Sequence, residues 1–283
     1  MNLDWLFKRV RTPVPATGPP RFGLALGGGA IRGAAHMGVL AVLEREGIRP
    51  DVVAGVSAGA IVGAGVASGV TAAEMFEAVR KATWFQFAVS AWGSKLSMFE
   101  SASLRALVER VTASSDFEGL ELPFAVLACD LLSGTEVTIT SGTLRDAVLA
   151  SSAIPGLFEP VRRGDRLLVD GQLLVNVPVQ AARDLGADYV LGVDIMPPPG
   201  VSPEPPDWRE VLLMSWDIVQ RGSRRGGVAP DLMVTPAVGS MRPWEFPRIA
   251  DAYEAGVAAM EESLPRLREG LGLDEGGKKA LAR

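Results

Sequence analysis

A serine held between two glycines is the feature of this sequence with the clearest chemistry. Gly55-Val-Ser57-Ala-Gly59 follows a short apolar run at residues 52–54 and precedes a small-residue segment of helical character. A glycine on each side permits the sharp strand-to-helix turn that lifts a nucleophilic hydroxyl into the open. The amino terminus of the helix behind it adds positive potential where an oxyanion would develop. The spacing predicts a nucleophilic Ser57, with an ordinary Gly/Ser turn as the alternative.

A glycine-rich loop, Gly27-Gly28-Gly29-Ala-Ile-Arg32-Gly33, is the second candidate, and it directly follows a strand-like run at residues 22–26. A Walker A loop is excluded because this loop does not end in Gly-Lys-Ser/Thr. A dinucleotide fingerprint lacks its third glycine, where Arg32 stands, although Asp51 lies near the required acidic spacing. Both loops follow strand carboxyl ends, so Gly27, Gly28, Gly29 and Arg32 are predicted to form an oxyanion hole facing Ser57.

The only histidine, His36, does not fit a catalytic triad. In α/β-hydrolases the triad runs serine, acid, histidine along the chain, and no histidine follows Ser57. His36 falls on a predicted helix, where we expect it to pack or to hydrogen-bond. Another group must then activate the serine, and a carboxylate within hydrogen-bond reach can do so, although its ordinary pKa of about 4 makes it a weak base unless its environment helps.

Three aspartates follow strand-like apolar runs and are candidates for this carboxylate: Asp130, Asp170 and Asp194. Asp170 comes directly after residues 167–169 and precedes Gly171, which permits a close approach of the backbone. The other two occupy similar strand-end positions. Spacing alone does not separate the three.

The elements that position these residues alternate along the chain between strand and helix patterns. Such alternation predicts an α/β layered domain with a largely parallel sheet. Residues 21–268 form one predicted domain, with a tail at 1–20 that could contact a membrane surface and a flexible tail at 269–283. Strands are predicted at 22–26, 52–54, 124–129, 137–140, 167–169, 189–193 and 232–234, and helices at 34–46, 58–68, 178–185, 208–221 and 249–268.

Composition narrows the functional classes. Apolar residues make up 48% and charged residues 22% of the chain, which is typical of a folded globular protein, and a net charge of −5 does not favour nucleic-acid binding. A single cysteine, Cys129, forms neither an intramolecular disulfide nor a cysteine zinc site, so a cytoplasmic location is predicted. The uncharged segment 52–73 is long enough to span a bilayer, but its glycine content favours a buried strand, turn and helix.

These motifs resemble the patatin-like phospholipase family, in its compact bacterial members. The resemblance runs from about Phe22 to Asp194, through four blocks in order: residues 26–40, 55–59, 151–161 and 169–171. It implies a three-layer α/β/α fold and a Ser57–Asp170 dyad without histidine. It gives residues 27–32 the oxyanion role, and it implies no metal and no organic cofactor. The acid motif departs from the family at Gln172, where glycine or alanine is common.

The resemblance implies hydrolysis of carboxylic esters of lipids, as a phospholipase or a lysophospholipase/esterase. An aromatic-rich segment at 84–99 is either a lid over an acyl chain or part of the core. Basic residues near the N-terminus and at Arg221, Arg224 and Arg225 suggest peripheral membrane contact. The alternatives are an esterase or thioesterase for soluble acyl compounds and a non-catalytic lipid or protein interaction module. The presence of both Ser57 and Asp170 argues against the interaction module.

Overall fold

The computed structural model describes residues 20–81, 101–196, 204, 211, 214–216, 218–220, 227–239, 241–242 and 245–273. Several predicted features lie outside the described residues: the N-terminal tail, the segment 84–99, Arg221, Arg224, Arg225 and the end of the C-terminal tail.

One mixed sheet forms the centre of the fold. Its strand order is β5-β6-β3-β2-β1-β7-β8. The remaining strand, β4, pairs with the edge of β3 that faces away from β2 and β6. β3, β2, β1, β7 and β8 are parallel, whereas β4 and β6 run antiparallel to β3. The short β5, which pairs with β6, was not predicted from the sequence. The strands are β1 Phe22–Leu26, β2 Val52–Val56, β3 Phe124–Asp130, β4 Thr135–Ile139, β5 Val161–Arg163, β6 Arg166–Asp170, β7 Tyr189–Val193 and β8 Leu232–Val234.

Helices cover both faces of this sheet, so the predicted three-layer α/β/α architecture is confirmed. The central strands are buried on both faces, which explains their uninterrupted apolar sequences. Leu24 and Leu26 face the layer that contains α1, whereas Ala25 faces the layer formed by α6. The helices are α1 Ala34–Arg45, α2 Ala58–Ala67, α3 Ala72–Arg80, α4 Ala102–Val111, α5 Leu144–Ser151, α6 Val179–Asp184 and α7 Ile249–Leu271.

Helices α1 and α7 pack with their backbones in contact. A Cβ atom at Gly38 would overlap the carbonyl oxygen of Tyr253, and one at Gly256 would overlap that of Ala35. Glycine at both positions lets the two helices cross this closely, since any side chain would push them apart. The long α7 thereby fixes α1, which begins at the end of the glycine-rich loop; α7 itself continues to Leu271, three residues past the predicted domain end at 268.

Segment 52–73 folds as β2, a tight turn, α2 and the start of α3. A capping box opens α3, because the Glu74 amide donates to Thr71 Oγ1 while the Thr71 amide donates to Glu74 Oε2. Within the part of the chain that the structure describes, no helix has the length and apolar character needed to cross a membrane.

The register of three strands brings two distant segments together. β2 runs parallel to the first half of β3 and ends with Val56 opposite Leu127. β6 runs antiparallel to the second half of β3 and ends with Asp170 opposite Ala128. Because β4 occupies the other edge of β3, β2 and β6 approach each other end to end along a single edge. Ser57, which follows Val56, therefore lies beside Asp170.

Candidate active site

Ser57 occupies a strained turn between β2 and α2. Its φ of 53° and ψ of −122° are uncommon for a residue with a side chain and cost about 1–3 kcal/mol. The flanking glycines make the turn possible: a Cβ atom at Gly55 would overlap the carbonyl of Gly59, and one at Gly59 would overlap the carbonyl of Leu26. The sequence predicted this turn from the same two glycines.

The hydroxyl of Ser57 donates a hydrogen bond to a buried carboxylate. The distance from Ser57 Oγ to Asp170 Oδ2 is 2.7 Å. The second oxygen, Oδ1, accepts from the backbone amide of Gln172 at 2.9 Å, and the amide of Asp170 donates to the carbonyl of Ala153. These bonds fix the carboxyl group in one orientation, with one oxygen toward the serine.

Burial changes the acidity of this carboxyl group. Asp170 is 0% exposed, and Ser57 is 4% exposed. Desolvation raises the pKa of Asp170 from its ordinary value of 3.8 to about 7, and the hydrogen bonds from Ser57 and Gln172 only partly oppose the rise. A carboxylate with this pKa accepts a proton far more readily near neutral pH than an ordinary aspartate does.

The other two strand-end aspartates have structural partners. Asp130 accepts hydrogen bonds from the Ser133 hydroxyl and from the backbone amides of Leu132 and Leu167. These contacts join the β3–β4 hairpin to the β5–β6 hairpin. Asp194 Oδ1 accepts from the Asn176 side chain and from the amide of Met196. The structure therefore brings only one of the three predicted candidates, Asp170, to the hydroxyl of Ser57.

Two serines at the end of α5 hold the backbone of Ser57. The Ser57 amide donates to Ser151 Oγ at 2.9 Å, and that hydroxyl donates in turn to the carbonyl of Leu127 at 2.5 Å. The Ser152 hydroxyl donates to the carbonyl of Ser57 at 3.3 Å. Sequence analysis assigns these serines no role, because they fall in residues 151–161, which contribute only to the family resemblance.

The glycine-rich loop lies beside the turn at Ser57, and among the described residues only Gly29 of the three predicted glycines has an amide without an acceptor. The amide of Gly27 donates to Val193 O at 3.0 Å, and that of Gly28 donates to Asn176 O at 3.3 Å. These two amides are therefore engaged in the fold, contrary to expectation. Among the described residues, none accepts a hydrogen bond from the amides of Gly29 and Ala30, and Ala30 has a strained φ of 51°. The loop amides that are available to bind an anion are therefore those of Gly29 and Ala30.

Arg32 is a buried side chain that anchors the loop. It is 3% exposed, its Nε donates to the carbonyl of Met241 at 2.9 Å, and its Nη1 lies 3.5 Å from the sulfur of Met196. These contacts tie the loop to the segment that precedes α7. They favour orientation of the loop over direct contact between the guanidinium and an oxyanion, and they exclude a surface cation.

His36 also supports the loop. Its Nε2 lies 2.7 Å from the carbonyl oxygen of Gly27, and since a carbonyl only accepts, Nε2 carries the proton. Burial lowers the pKa of His36 to about 4, so the imidazole is neutral at physiological pH. The histidine packs and hydrogen-bonds as the sequence predicted.

Gln172 joins the acid turn to the glycine-rich loop. Its side chain is buried against the Cα atom of Gly28, and its Nε2 donates to Asn176 Oδ1 at 2.8 Å. Its Oε1 accepts from Gln220 Nε2, also at 2.8 Å. The longer side chain at this position therefore fills space between Asp170 and the loop. Within the described ranges, no group of three or more His, Cys, Asp or Glu residues could hold a metal ion.

The chain is similar to known proteins over the segments that form this site. The family model described as patatin-like phospholipase matches residues 24–183. A patatin-like phospholipase domain-containing protein of Caenorhabditis elegans is 32% identical over 182 residues, which are 61% of this chain and 13% of that protein. An uncharacterized NTE family protein of Mycobacterium tuberculosis is 28% identical over 268 residues, which are 86% of this chain and 46% of the relative.

Human patatin-like phospholipase domain-containing protein 6 is 31% identical over 181 residues, which are 61% of this chain and 13% of the human protein. The chain spans less than half the length of these relatives. Among solved structures, VipD from Legionella pneumophila superimposes with a TM-score of 0.50 at 14% identity, over 88% of this chain and 67% of VipD. At that identity the likeness concerns the fold alone.

Proposed function

Because the chain belongs to the patatin-like phospholipase family, we propose that it is a serine acyl hydrolase that cleaves carboxylic esters of lipids. The observation that carries the proposal is the 2.7 Å hydrogen bond from the hydroxyl of Ser57, held on a strained turn, to the fully buried Asp170. A non-catalytic interaction module has no need for a strained serine or for a buried carboxylate with a raised pKa.

In the proposed reaction Ser57 Oγ attacks the ester carbonyl carbon while Asp170 takes the hydroxyl proton. The tetrahedral intermediate collapses as the leaving alcohol receives that proton, and an acyl-enzyme remains. Water then attacks the acyl carbon while Asp170 accepts its proton. The bond from the acyl carbon to Ser57 Oγ breaks, Asp170 returns the proton to Ser57 Oγ, and the carboxylic acid is released. A pKa of about 7 suits a group that must accept and return a proton in one cycle.

The negative charge on the former carbonyl oxygen needs hydrogen-bond donors. We assign this role to the amides of Gly29 and Ala30, for which the described residues provide no acceptor. Helix α2 begins at Ala58, directly after the nucleophile, and its amino terminus adds favourable potential at the same point. In this proposal Arg32 and His36 act indirectly, because they hold the loop that carries the donors.

Hydrolysis should depend on pH through the ionisation of Asp170. The carboxylate is the reactive form, so kcat/KM for a short-chain soluble ester should rise about tenfold per unit below pH 7 and level off above it. Initial rates measured from about pH 5 to about pH 9 check this dependence. His36 should add no inflection in this range, since its pKa is about 4. A profile already level at pH 5 would remove Asp170 as a base with a raised pKa.

The substrate class is tested by comparing esters of different chain length, with Ser57→Ala as the control. The proposal predicts hydrolysis of long-chain phospholipid or lysophospholipid esters in vesicles, and no release of fatty acid by the variant. Fatty-acid release measured over a panel of lipids, short-chain esters and acyl thioesters separates the classes. Turnover restricted to soluble esters or thioesters would contradict a lipid substrate while leaving the hydrolase assignment in place.

A further inference from the structure

The helical segment that precedes β8 has an unusual distribution of side chains. Val211, residues 214–216 and residues 218–220 are helical. Three of its apolar side chains are exposed, with Val211 at 48%, Ile218 at 67% and Val219 at 46%, whereas Met214 and Trp216 are half-buried and the polar Gln220 is buried. A surface helix of a globular protein normally turns its apolar side chains toward the core. The exposed three therefore depart from the usual pattern.

The exposed apolar side chains lie on one face. Positions 211, 215, 218 and 219 are spaced i, i+4, i+7 and i+8, so Val211, Ile218 and Val219 form a strip together with the small Ser215. All four residues are exposed. We call these four residues the strip. No helix or strand of the described residues packs over it.

The same helix is bonded to the candidate active site. Gln220 Nε2 donates to Gln172 Oε1 at 2.8 Å, and the backbone amide of Gln172 donates to Asp170 Oδ1 at 2.9 Å. Only two hydrogen bonds therefore separate the helix from the carboxylate that faces Ser57. Whatever binds the strip is brought close to the nucleophile.

We propose that the strip binds the surface of an anionic phospholipid membrane and so presents the active site to its substrate. This inference rests on the proposed lipid hydrolase function and adds the surface through which the enzyme meets the lipid. Charge favours this occupant, because Arg221, Arg224 and Arg225 follow Gln220 in the sequence and no acidic residue occurs from 218 to 230. Apolar residues followed in the sequence by cationic ones provide the two signals that reversible membrane binding requires.

Vesicle binding tests the proposal independently of hydrolysis if all variants carry Ser57→Ala. Val219→Asp removes the apolar character of the strip and adds a negative charge. Met233→Asp is the matched control, because Met233 is also an exposed apolar side chain, at 40%, but lies on the edge strand β8 and outside the run that contains the arginines. With phosphatidylcholine vesicles containing about 30 mol% phosphatidylglycerol, co-sedimentation should fall at least about tenfold for Val219→Asp and less than about twofold for Met233→Asp. Omitting phosphatidylglycerol or adding about 0.5 M salt should also weaken binding of the parent protein.

Equal binding by the Val219→Asp and Met233→Asp proteins would overturn the proposal, as would equal binding to vesicles with and without phosphatidylglycerol. In the background with Ser57 intact, Val219→Asp should hydrolyse a short soluble ester within about twofold of the parent rate, since the strip does not touch the dyad. Loss of that activity as well would mean that Val219 maintains the site, and it would overturn the assignment. Strip-dependent binding by a protein that hydrolyses no ester would instead refute only the proposed hydrolase function.

Discussion

Replacing Ser57 with alanine should abolish ester hydrolysis, with a fall in kcat of at least about a thousandfold, and should abolish labelling by a fluorophosphonate probe. The probe forms a phosphorus–oxygen bond to the serine and releases fluoride, so it reports the nucleophile directly. Removal of a nucleophilic serine leaves only the catalysis supplied by binding and oxyanion stabilisation. Turnover of a short-chain ester and the mass of the labelled protein measure the two effects.

Ser68→Ala is a suitable control for this experiment. Ser68 is also a buried serine, and its hydroxyl donates to the carbonyl of Ala64 at the end of α2. Its removal should leave labelling and turnover near the parent values. Persistent labelling of the Ser57→Ala protein would identify another nucleophile and would contradict the dyad.

Replacing Asp170 with asparagine should lower kcat at least about a hundredfold, because the amide cannot accept the proton of Ser57. The asparagine oxygen can still accept from the Gln172 amide, so the local geometry should persist and KM should change little. Steady-state kinetics on a soluble ester measure both constants. Asp130→Asn is the matched control, since Asp130 lies on the neighbouring strand but bonds only to Ser133 and to backbone amides. Near-normal turnover by Asp170→Asn would remove this residue from the mechanism.

The same substitution should stabilise the protein above neutral pH. The folded protein holds the Asp170 proton more tightly than the unfolded chain, because the pKa rises from 3.8 to about 7 on folding. This carboxyl group therefore lowers the free energy of unfolding as the pH rises from about 4 to about 7, and the full cost, on the order of 4 kcal/mol, is present above that range. Asp170→Asn should have a higher Tm than the parent at about pH 8, and the difference should vanish near pH 4. An equal or lower Tm at pH 8 would show that burial of this carboxylate has no such cost.

Local sequence determined the parts of the site that depend on backbone conformation. Gly55 and Gly59 leave room for a strained turn whatever the rest of the fold, and the glycines after β1 allow a tight loop. The strand and helix patterns likewise predicted the layered architecture, because strands buried on both faces must be apolar throughout. The absence of a histidine after Ser57 excluded a triad of the usual order and left the strand-end carboxylates as candidate bases.

The tertiary structure decided which carboxylate lies beside the serine and which amides remain free. Asp130, Asp170 and Asp194 look alike in the sequence because each follows an apolar strand. Only the register of β2 and β6 along one edge of β3 brings Asp170, 113 positions away in the chain, to Ser57. In the same way, the amides of Gly27 and Gly28 are engaged by carbonyl groups of distant segments. Hydrogen-bond partners of this kind depend on strand pairing between remote residues, and a strand that is apolar at every position has no alternation that would specify its partner or register.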